Sequence, residues 1–277
     1  MSAQILDGKA LAQKIKAQIT TQVKGLNRQP GLGTILVGND AGSVSYVAGK
    51  HKDCADVGIA SIRIDLPATA TESEILQAVN QLNNEANCTG FIVQLPLPHG
   101  VDAQKVLTAV DPSKDADGLH PINLGNLVLD SKTITPCTPK AILNLLSEYK
   151  IDLSGKSVLI IGRGTTVGRP LSILLSQKPV NATVTLAHTA TKNLPALIKS
   201  ADVVIAAIGK PHFIKSEMIK DGAVVVDVGI TRTDAGLLGD VDPAVVSTAS
   251  FFAPLPGGVG PMTRAMLLSN LLELMEK

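Results

Sequence analysis

The sequence contains no tryptophan, and aromatic residues of all kinds make up 2% of its 277 positions. Tyrosine occurs twice, at Tyr46 and Tyr149, so a ring available to stack on a flat ligand comes from a short list. Cysteine is equally sparse. Cys54, Cys88 and Cys137 lie far apart, are odd in number and show no metal-ligand spacing. They therefore build neither a disulfide framework nor a metal site, and fit reduced thiols in a cytoplasmic protein. No charge of one sign dominates. A formal net charge of +1 gives no electrostatic reason to expect nucleic acid or an anionic membrane as partner. Long apolar runs are also missing: the first nine residues hold no stretch of signal-peptide length, and runs such as Val203–Ile208 are far too short to span a bilayer.

What is present describes a globular chain. The composition is 45% hydrophobic and 18% charged, away from the disordered class. The length suits two domains and a core that needs no disulfides or metals. Short apolar runs alternate with amphipathic stretches from end to end. In the first series Leu32–Val37, Ser61–Leu66 and Phe91–Leu95 read as strands, and Ile5–Val23, Ser43–Val57, Glu72–Asn84 and Asp102–Val110 as helices. In the second, Ser157–Ile161, Thr183–Ala187, Val203–Ile208 and Val224–Val228 read as strands, with helices Gly168–Ser176 and Leu194–Ser200. Such alternation predicts an α/β protein with parallel sheets covered by helices. The stretch Asp111–Thr138, rich in Pro, Asp, Gly and Asn, separates the two series, and a helix Lys140–Tyr149 leads into the second. The expected division is a first domain 1–139, joined by a last helix in 262–277, and a second domain 140–261.

The second domain carries a dinucleotide signal. From Ser157 the chain runs Val-Leu-Ile-Ile-Gly-Arg-Gly-Thr-Thr-Val-Gly168, strand into helix, with glycines at 162, 164 and 168. A tight turn there aims backbone N–H groups and the positive end of a helix dipole at a pyrophosphate. The spacing is one residue longer than the common fingerprint, and a glycine-rich turn without a ligand stays an alternative. The next strand ends at His188-Thr-Ala-Thr-Lys192 with no acid for ribose hydroxyls, while Arg163 and Thr189 suit a ribose phosphate, which favours NADP over NAD. A solvated loop arginine is the plainer account of Arg163.

In the first domain Ser43, Tyr46 and Lys50 are spaced i, i+3, i+7 and share one helix face. A hydroxyl, an aromatic plate and an amine thus stand in line, although an ordinary amphipathic helix with a snorkelling lysine has the same spacing. Gln94 follows an apolar strand, where open α/β sheets place ligands; a glutamine that bonds local backbone would sit there too. The loop Asp115-Ala-Asp-Gly-Leu-His-Pro121 carries two acids. A carboxylate matches an edge with two parallel N–H donors, and equally well caps a turn. Pro254-Leu-Pro-Gly-Gly-Val-Gly-Pro261 is a stiff, glycine-rich loop whose backbone can approach a flat ligand, and Pro261 suits the first turn of a helix.

Tyr46-Val-Ala-Gly-Lys50, Val93-Gln-Leu-Pro-Leu-Pro98, the 115–121 loop, Pro136-Cys-Thr-Pro139, Ile161-Gly-Arg-Gly164 with Val167-Gly168, and Pro256-Gly-Gly-Val-Gly-Pro-Met-Thr263 occur in that order. Together they resemble the bifunctional methylenetetrahydrofolate dehydrogenase/methenyltetrahydrofolate cyclohydrolase family over nearly the whole chain. The resemblance implies two α/β domains with a folate cleft between them, the second a Rossmann-type sheet that binds NADP. It implies a homodimer, and a place in the one-carbon supply of purine and amino-acid biosynthesis. It assigns catalysis to Lys50, Gln94, Asp117 and Tyr46, with Tyr46 stacked on the pterin, Gln94 beside the lysine and Asp117 on the pterin edge. Folate binding falls to these residues with Ser43, Pro256, Gly257 and Gly258. NADP binding falls to Gly162, Arg163, Gly164, Thr165, Val167, Gly168, His188, Thr189, Gly209, Gly229 and Ile230. Three positions depart from the family pattern: Gly164 and Thr189, where serine is common, and Thr231, where asparagine is common. Competing readings are a dehydrogenase without the hydrolase step, a dehydrogenase of the shikimate or amino-acid type, and a non-catalytic NADP-binding regulator. The Lys50–Gln94 pair argues against the first, the Asp117 and Gly257–Gly260 loops against the second, and candidate residues for both ligands against the third.

Overall fold

The structure is a computed structural model that describes residues 2–234 and 236–276. In chain order its elements are β1 (Gln4–Ile5), α1 (Gly8–Lys24), β2 (Gly31–Val37), α2 (Ala41–Val57), β3 (Ala60–Leu66), α3 (Glu72–Asn84), β4 (Gly90–Val93), α4 (Ala103–Thr108), α5 (Pro121–Val128), α6 (Cys137–Glu148), β5 (Ser157–Ile161), α7 (Gly168–Ser176), β6 (Thr183–Ala187), α8 (Leu194–Ser200), β7 (Val203–Ala206), β8 (Val224–Asp227), β9 (Thr231–Thr233), β10 (Gly236–Leu238), β11 (Phe251–Ala253) and α9 (Val259–Met275). The chain forms two compact units. One joins Gln13–Cys137 to the described residues from Arg264 onward; the other joins the described residues up to Ala12 to Thr138–Thr263.

The first of these is built on three parallel strands in the order β3-β2-β4. β2 runs between the other two and is buried along its whole length, which is why its sequence is apolar without alternation. β3 lies at the edge and alternates, with Ser61, Arg63 and Asp65 exposed. Ile35, Ile75, Val79, Leu82, Phe91 and Val93 are part of its core. Helix α2 starts where the Asp40 carboxylate accepts the N–H of Ser43 at 2.8 Å and stops at Gly58, whose φ of 82° is the left-handed cap that favours glycine. Helix α3 opens on a capping box between Thr71 and Glu74.

The other unit is built on a sheet of six strands, all parallel, in the order β1-β11-β8-β7-β5-β6. Its core includes Leu159, Ile161, Val204, Ala206, Val225 and Phe252. β5 has β6 on one side and β7 on the other, so the strand order reverses there, and the carboxyl ends of these strands form the usual ligand crevice of an open α/β sheet. β9 and β10 form a separate antiparallel pair.

Several elements differ from the sequence expectation. The expected helix from Ile5 begins at Gly8, because Gln4 and Ile5 pair with Phe251 and Phe252 and extend the six-stranded sheet. Residues 2–12 therefore group with the nucleotide-type unit, whereas the expected division kept them in the first domain. The stretch expected as a break contains α5, opened by His120 as N-cap and by Pro121 in the first turn. β7 ends at Ala206, two residues short, because the N–H of Ile208 turns to the Asp240 carboxylate at 2.7 Å. Among the described residues no helix is long and apolar enough to cross a membrane.

Candidate functional site

Helix α2 carries Tyr46 and Lys50 one turn apart. The Lys50 amine stands 4.5 Å from the centroid of the Tyr46 ring and donates to Gln94 Oε1 at 3.1 Å. Gln94 is placed by its own backbone, whose N–H extends the β2–β4 ladder to the Ile35 carbonyl at 2.9 Å, and by its Nε2, which donates to the Leu95 carbonyl at 2.7 Å. The amide group is thereby fixed with its oxygen toward the lysine. Lys50 is 7% exposed. Burial lowers its amine pKa below the ordinary lysine value, with Arg264 acting in the same direction and Asp117, Cys137 and Cys54 opposing. Burial and the nearby Asp117 raise the Tyr46 phenol, so the ring stays a neutral plate. Ser43 sits one turn before Tyr46, where its hydroxyl donates to the Asp40 carboxylate at 2.9 Å; its immediate task is at the head of the helix.

The two acids of the 115–121 loop have separate roles. Asp115 is buried and accepts the N–H groups of Gly118 and His120 and the Asn123 amide at 3.0, 2.7 and 2.8 Å. It is the turn-former. That leaves the Asp117 carboxyl to face Lys50 and to bond the Cys137 thiol. Burial raises the Asp117 pKa while Lys50 pulls it down. Desolvation thus pushes acid and amine toward their neutral forms, and each favours the charged form of the other.

The sequence reading missed four residues around this group. Asn270, fully buried on α9, donates to the carbonyls of Ala116 and Thr135, both at 3.0 Å, and to the Cys137 sulfur, which fixes the backbone beside Asp117. Cys137 lies next to Asp117. Asp53 and Arg264 pair at 3.0 Å. Asp53 had a legible signal, its i+3 spacing from Lys50, and Cys137 stands in the Pro136–Pro139 motif; Asn270 and Arg264 had none.

In the nucleotide-type unit the expected cofactor residues all fall at the carboxyl ends of β5 to β8. Gly162 has φ 118°, and a Cβ added to Gly168 would lie 1.9 Å from the Gly162 carbonyl oxygen. These two glycines let the head of α7 close onto the end of β5. Val167 at that head gives no side-chain cap, so the N–H groups of the first turn are served by something other than the capping residue's side chain. Arg163, Gly164 and Thr165 are exposed around the turn. His188 and Thr189 follow β6, where the His188 N–H donates to Thr191 Oγ1 at 2.9 Å. Gly209 follows β7, and the 208–210 loop is shaped by Asp240, which accepts the N–H groups of Ile208, Gly209 and Lys210. Gly229 and Ile230 follow β8, with Ile208 and Ile230 offering exposed apolar side chains. An uncapped helix head, two glycines without room for a side chain and an exposed arginine fit a dinucleotide. Pro256, Gly257 and Gly258 belong to this unit too: the Gly257 carbonyl accepts the Lys9 N–H at 3.0 Å, and the turn leads into α9. No group of three or more potential metal ligands occurs among the described residues.

A parallel sheet with this turn, in a chain that also holds a desolvated lysine against a neutral amide, fits an α/β enzyme of the dinucleotide-binding class. Residues 6–117 match the tetrahydrofolate dehydrogenase/cyclohydrolase catalytic domain, and residues 136–277 match the NAD(P)-binding domain of the same family. The chain belongs to the tetrahydrofolate dehydrogenase/cyclohydrolase family. It is thus an enzyme of folate one-carbon interconversion. Its structure is similar to that of the bifunctional methylenetetrahydrofolate dehydrogenase/cyclohydrolase from Campylobacter jejuni, with 41% identity, 99% of each chain covered and a TM-score of 0.95. It is similar to a 5,10-methylenetetrahydrofolate dehydrogenase from the silkworm Bombyx mori, with 38% identity, 99% and 98% coverage and a TM-score of 0.94. It is also similar to the Trypanosoma brucei dehydrogenase-cyclohydrolase solved with NADP and an inhibitor, with 36% identity, 100% and 98% coverage and a TM-score of 0.93.

Proposed function

We propose that the chain oxidises methylenetetrahydrofolate with NADP and hydrolyses the methenyl product to 10-formyltetrahydrofolate, with Lys50 moving the protons of the second step. The observation that carries this reading is the Lys50 amine itself, desolvated, 3.1 Å from the neutral Gln94 amide and over the Tyr46 ring.

Removing hydride from a carbon held between two nitrogens leaves an amidinium cation, and no proton leaves the folate. That step asks the protein for positioning. Bound NADP supplies the hydride acceptor. Tyr46 stacks as a neutral plate, and Asp117 offers its carboxylate to the guanidine-like edge of the pterin. Hydrolysis makes different demands. Water adds to the methenyl carbon, and its proton passes to the neutral Lys50 amine. The tetrahedral adduct then opens as one carbon–nitrogen bond breaks: that nitrogen takes a proton back from Lys50, and the adduct's hydroxyl gives its proton to water as the formyl carbonyl forms, so the hydrolysis releases one proton overall. Burial favours the neutral amine, and Gln94 holds it in place without adding charge.

NADP is favoured over NAD because the residues after β6 include no acid to repel a ribose phosphate, and Arg163 and Thr189 are exposed nearby. The NADP complex of the Trypanosoma brucei relative supports this. The working form is a cytoplasmic homodimer that feeds purine and amino-acid synthesis. The test follows methenyltetrahydrofolate absorbance, its formation from methylenetetrahydrofolate with NADP or NAD and its decay when supplied directly. No formation with either cofactor would overturn the dehydrogenase reading. Decay at the uncatalysed rate would overturn the hydrolase, and faster turnover with NAD would overturn the cofactor preference.

A further inference from the structure

Asp53 is 4% exposed and serves two cations from two other helices. Its Oδ1 accepts Lys16 Nζ of α1 at 2.9 Å, and its Oδ2 accepts Arg264 Nε of α9 at 3.0 Å. It stands one turn beyond Lys50 and two turns beyond Tyr46, along one face of α2. The Arg264 guanidinium also lies directly against that helix: a Cβ added to Gly49 would stand 2.1 Å from its Nη1. The missing side chain at 49 is the space that admits the guanidinium beside the residue preceding Lys50. Two cations on one carboxylate leave the cluster with a net positive charge next to a buried amine.

We propose that Arg264 is a positioning residue for the hydrolysis step: seated in the gap left by Gly49 and anchored on Asp53, its guanidinium works with burial to favour the neutral, proton-accepting form of the Lys50 amine. This rests on the reading of Lys50 as the proton carrier. The groups around Lys50 are Tyr46, His51, Asp53 and Cys54 on its own helix, Asp117 from the loop after β4, Cys137 at the start of α6 and Arg264 from α9; Lys16 of α1 reaches the group through Asp53. Burial is the largest influence toward the neutral amine; among the charged and polar groups Asp117, Cys137 and Cys54 favour the ammonium form, and Arg264 opposes them. At an effective dielectric between those of water and dry protein, a like charge seated against the adjoining residue of the same helix acts on the amine.

The test uses the full chain with its lysine side chains isotopically labelled, the Lys50 signal being assigned by its absence in Lys50→Met. In Arg264→Gln the Lys50 amine should titrate at higher pH. The acid limb of kcat/KM for methenyl hydrolysis should move up with it, leaving the rate on that limb about three- to tenfold lower. The pH profile of the dehydrogenase should stay where it is. Arg264→Lys should return the Lys50 titration toward wild type. Gly49→Ala pushes the guanidinium aside without deleting it and should give a smaller shift in the same direction; it takes the place of Arg264→Gln if that variant fails to fold. An unmoved Lys50 titration in the folded variant would overturn the proposal and reduce Arg264 to a link between helices. A Lys50 titration that moves while the hydrolysis limb stays put would overturn the reading of Lys50, and with it the part of Arg264 in hydrolysis.

Discussion

Asp227 and Asp240 are locked together: Asp227 Oδ1 accepts the backbone N–H of Asp240 at 2.8 Å, while the Asp240 carboxylate shapes the loop after β7. Asp227 is 1% exposed, and burial pushes its pKa up to about 7 despite the N–H groups of Asp240 and Val241 that it accepts. The folded chain therefore holds this proton more tightly than the unfolded chain, whose reference value is 3.8. The stabilisation is fully present below that value and is lost as pH rises through about 7. Asp227→Asn should flatten this decline. Thermal midpoints measured at about pH 5 and about pH 8 should differ less in the variant than in wild type, by an amount on the order of a few kcal/mol in stability. Equal differences would mean that Asp227 stays ionised across the range.

Lys50→Met keeps most of the stem and deletes the amine. General acid–base help is worth on the order of 10²–10⁴ in rate, so methenyl hydrolysis, corrected for the uncatalysed reaction, should fall by about that range. Dehydrogenase activity should fall less, since only positioning is disturbed. Normal hydrolysis by the variant would remove Lys50 from the mechanism. Equal loss of both activities would point to a shared role in holding folate.

Asp117→Ala should weaken folate binding while leaving NADP binding alone. A hydrogen bond to a charged partner is worth roughly 1.5–3 kcal/mol, or about 10- to 150-fold. Calorimetric titration with a folate ligand checks this, and unchanged affinity would exclude the carboxylate from the pterin edge. Asp115 is the control that keeps the two acids apart: Asp115→Ala breaks the turn and should lower the melting temperature, an effect not expected of Asp117→Ala.

Arg163→Ala should raise the KM for NADP much more than that for NAD, because the exposed guanidinium is assigned to the ribose phosphate that only NADP carries. Equal effects on both cofactors would return Arg163 to an ordinary solvated loop residue.

The long elements were legible because each has a local signal. β2 is apolar throughout, Glu72–Asn84 is periodic between a capping box and a loop, and Gly162 to Gly168 mark a strand–turn–helix. β1 and β11 were not legible. They are two and three residues long, and their pairing joins residues that are nearly the whole chain apart in sequence. The same holds at the site. Tyr46 and Lys50 share a helix face that spacing alone reveals, and Gln94 follows a strand. The division of labour between Asp115 and Asp117 depends on which carboxylate finds the backbone N–H groups of its own turn, a matter of geometry. Asn270 and Arg264 come from α9, and no local pattern ties them to α2 or to the 115–121 loop.

The glycine turn after β5 also divides its positions by how freely they can change over evolutionary time. A side chain at 168 would strike the Gly162 carbonyl, and one at 162 would lie 2.1 Å from the Ala207 carbonyl oxygen, so both positions are closed to drift whatever the cofactor. Gly164 is different: the nearest atom to an added Cβ is Thr166 Oγ1, at 3.9 Å. Its departure from the common serine is a change at an open position, reached and reversed by single substitutions without disturbing the turn.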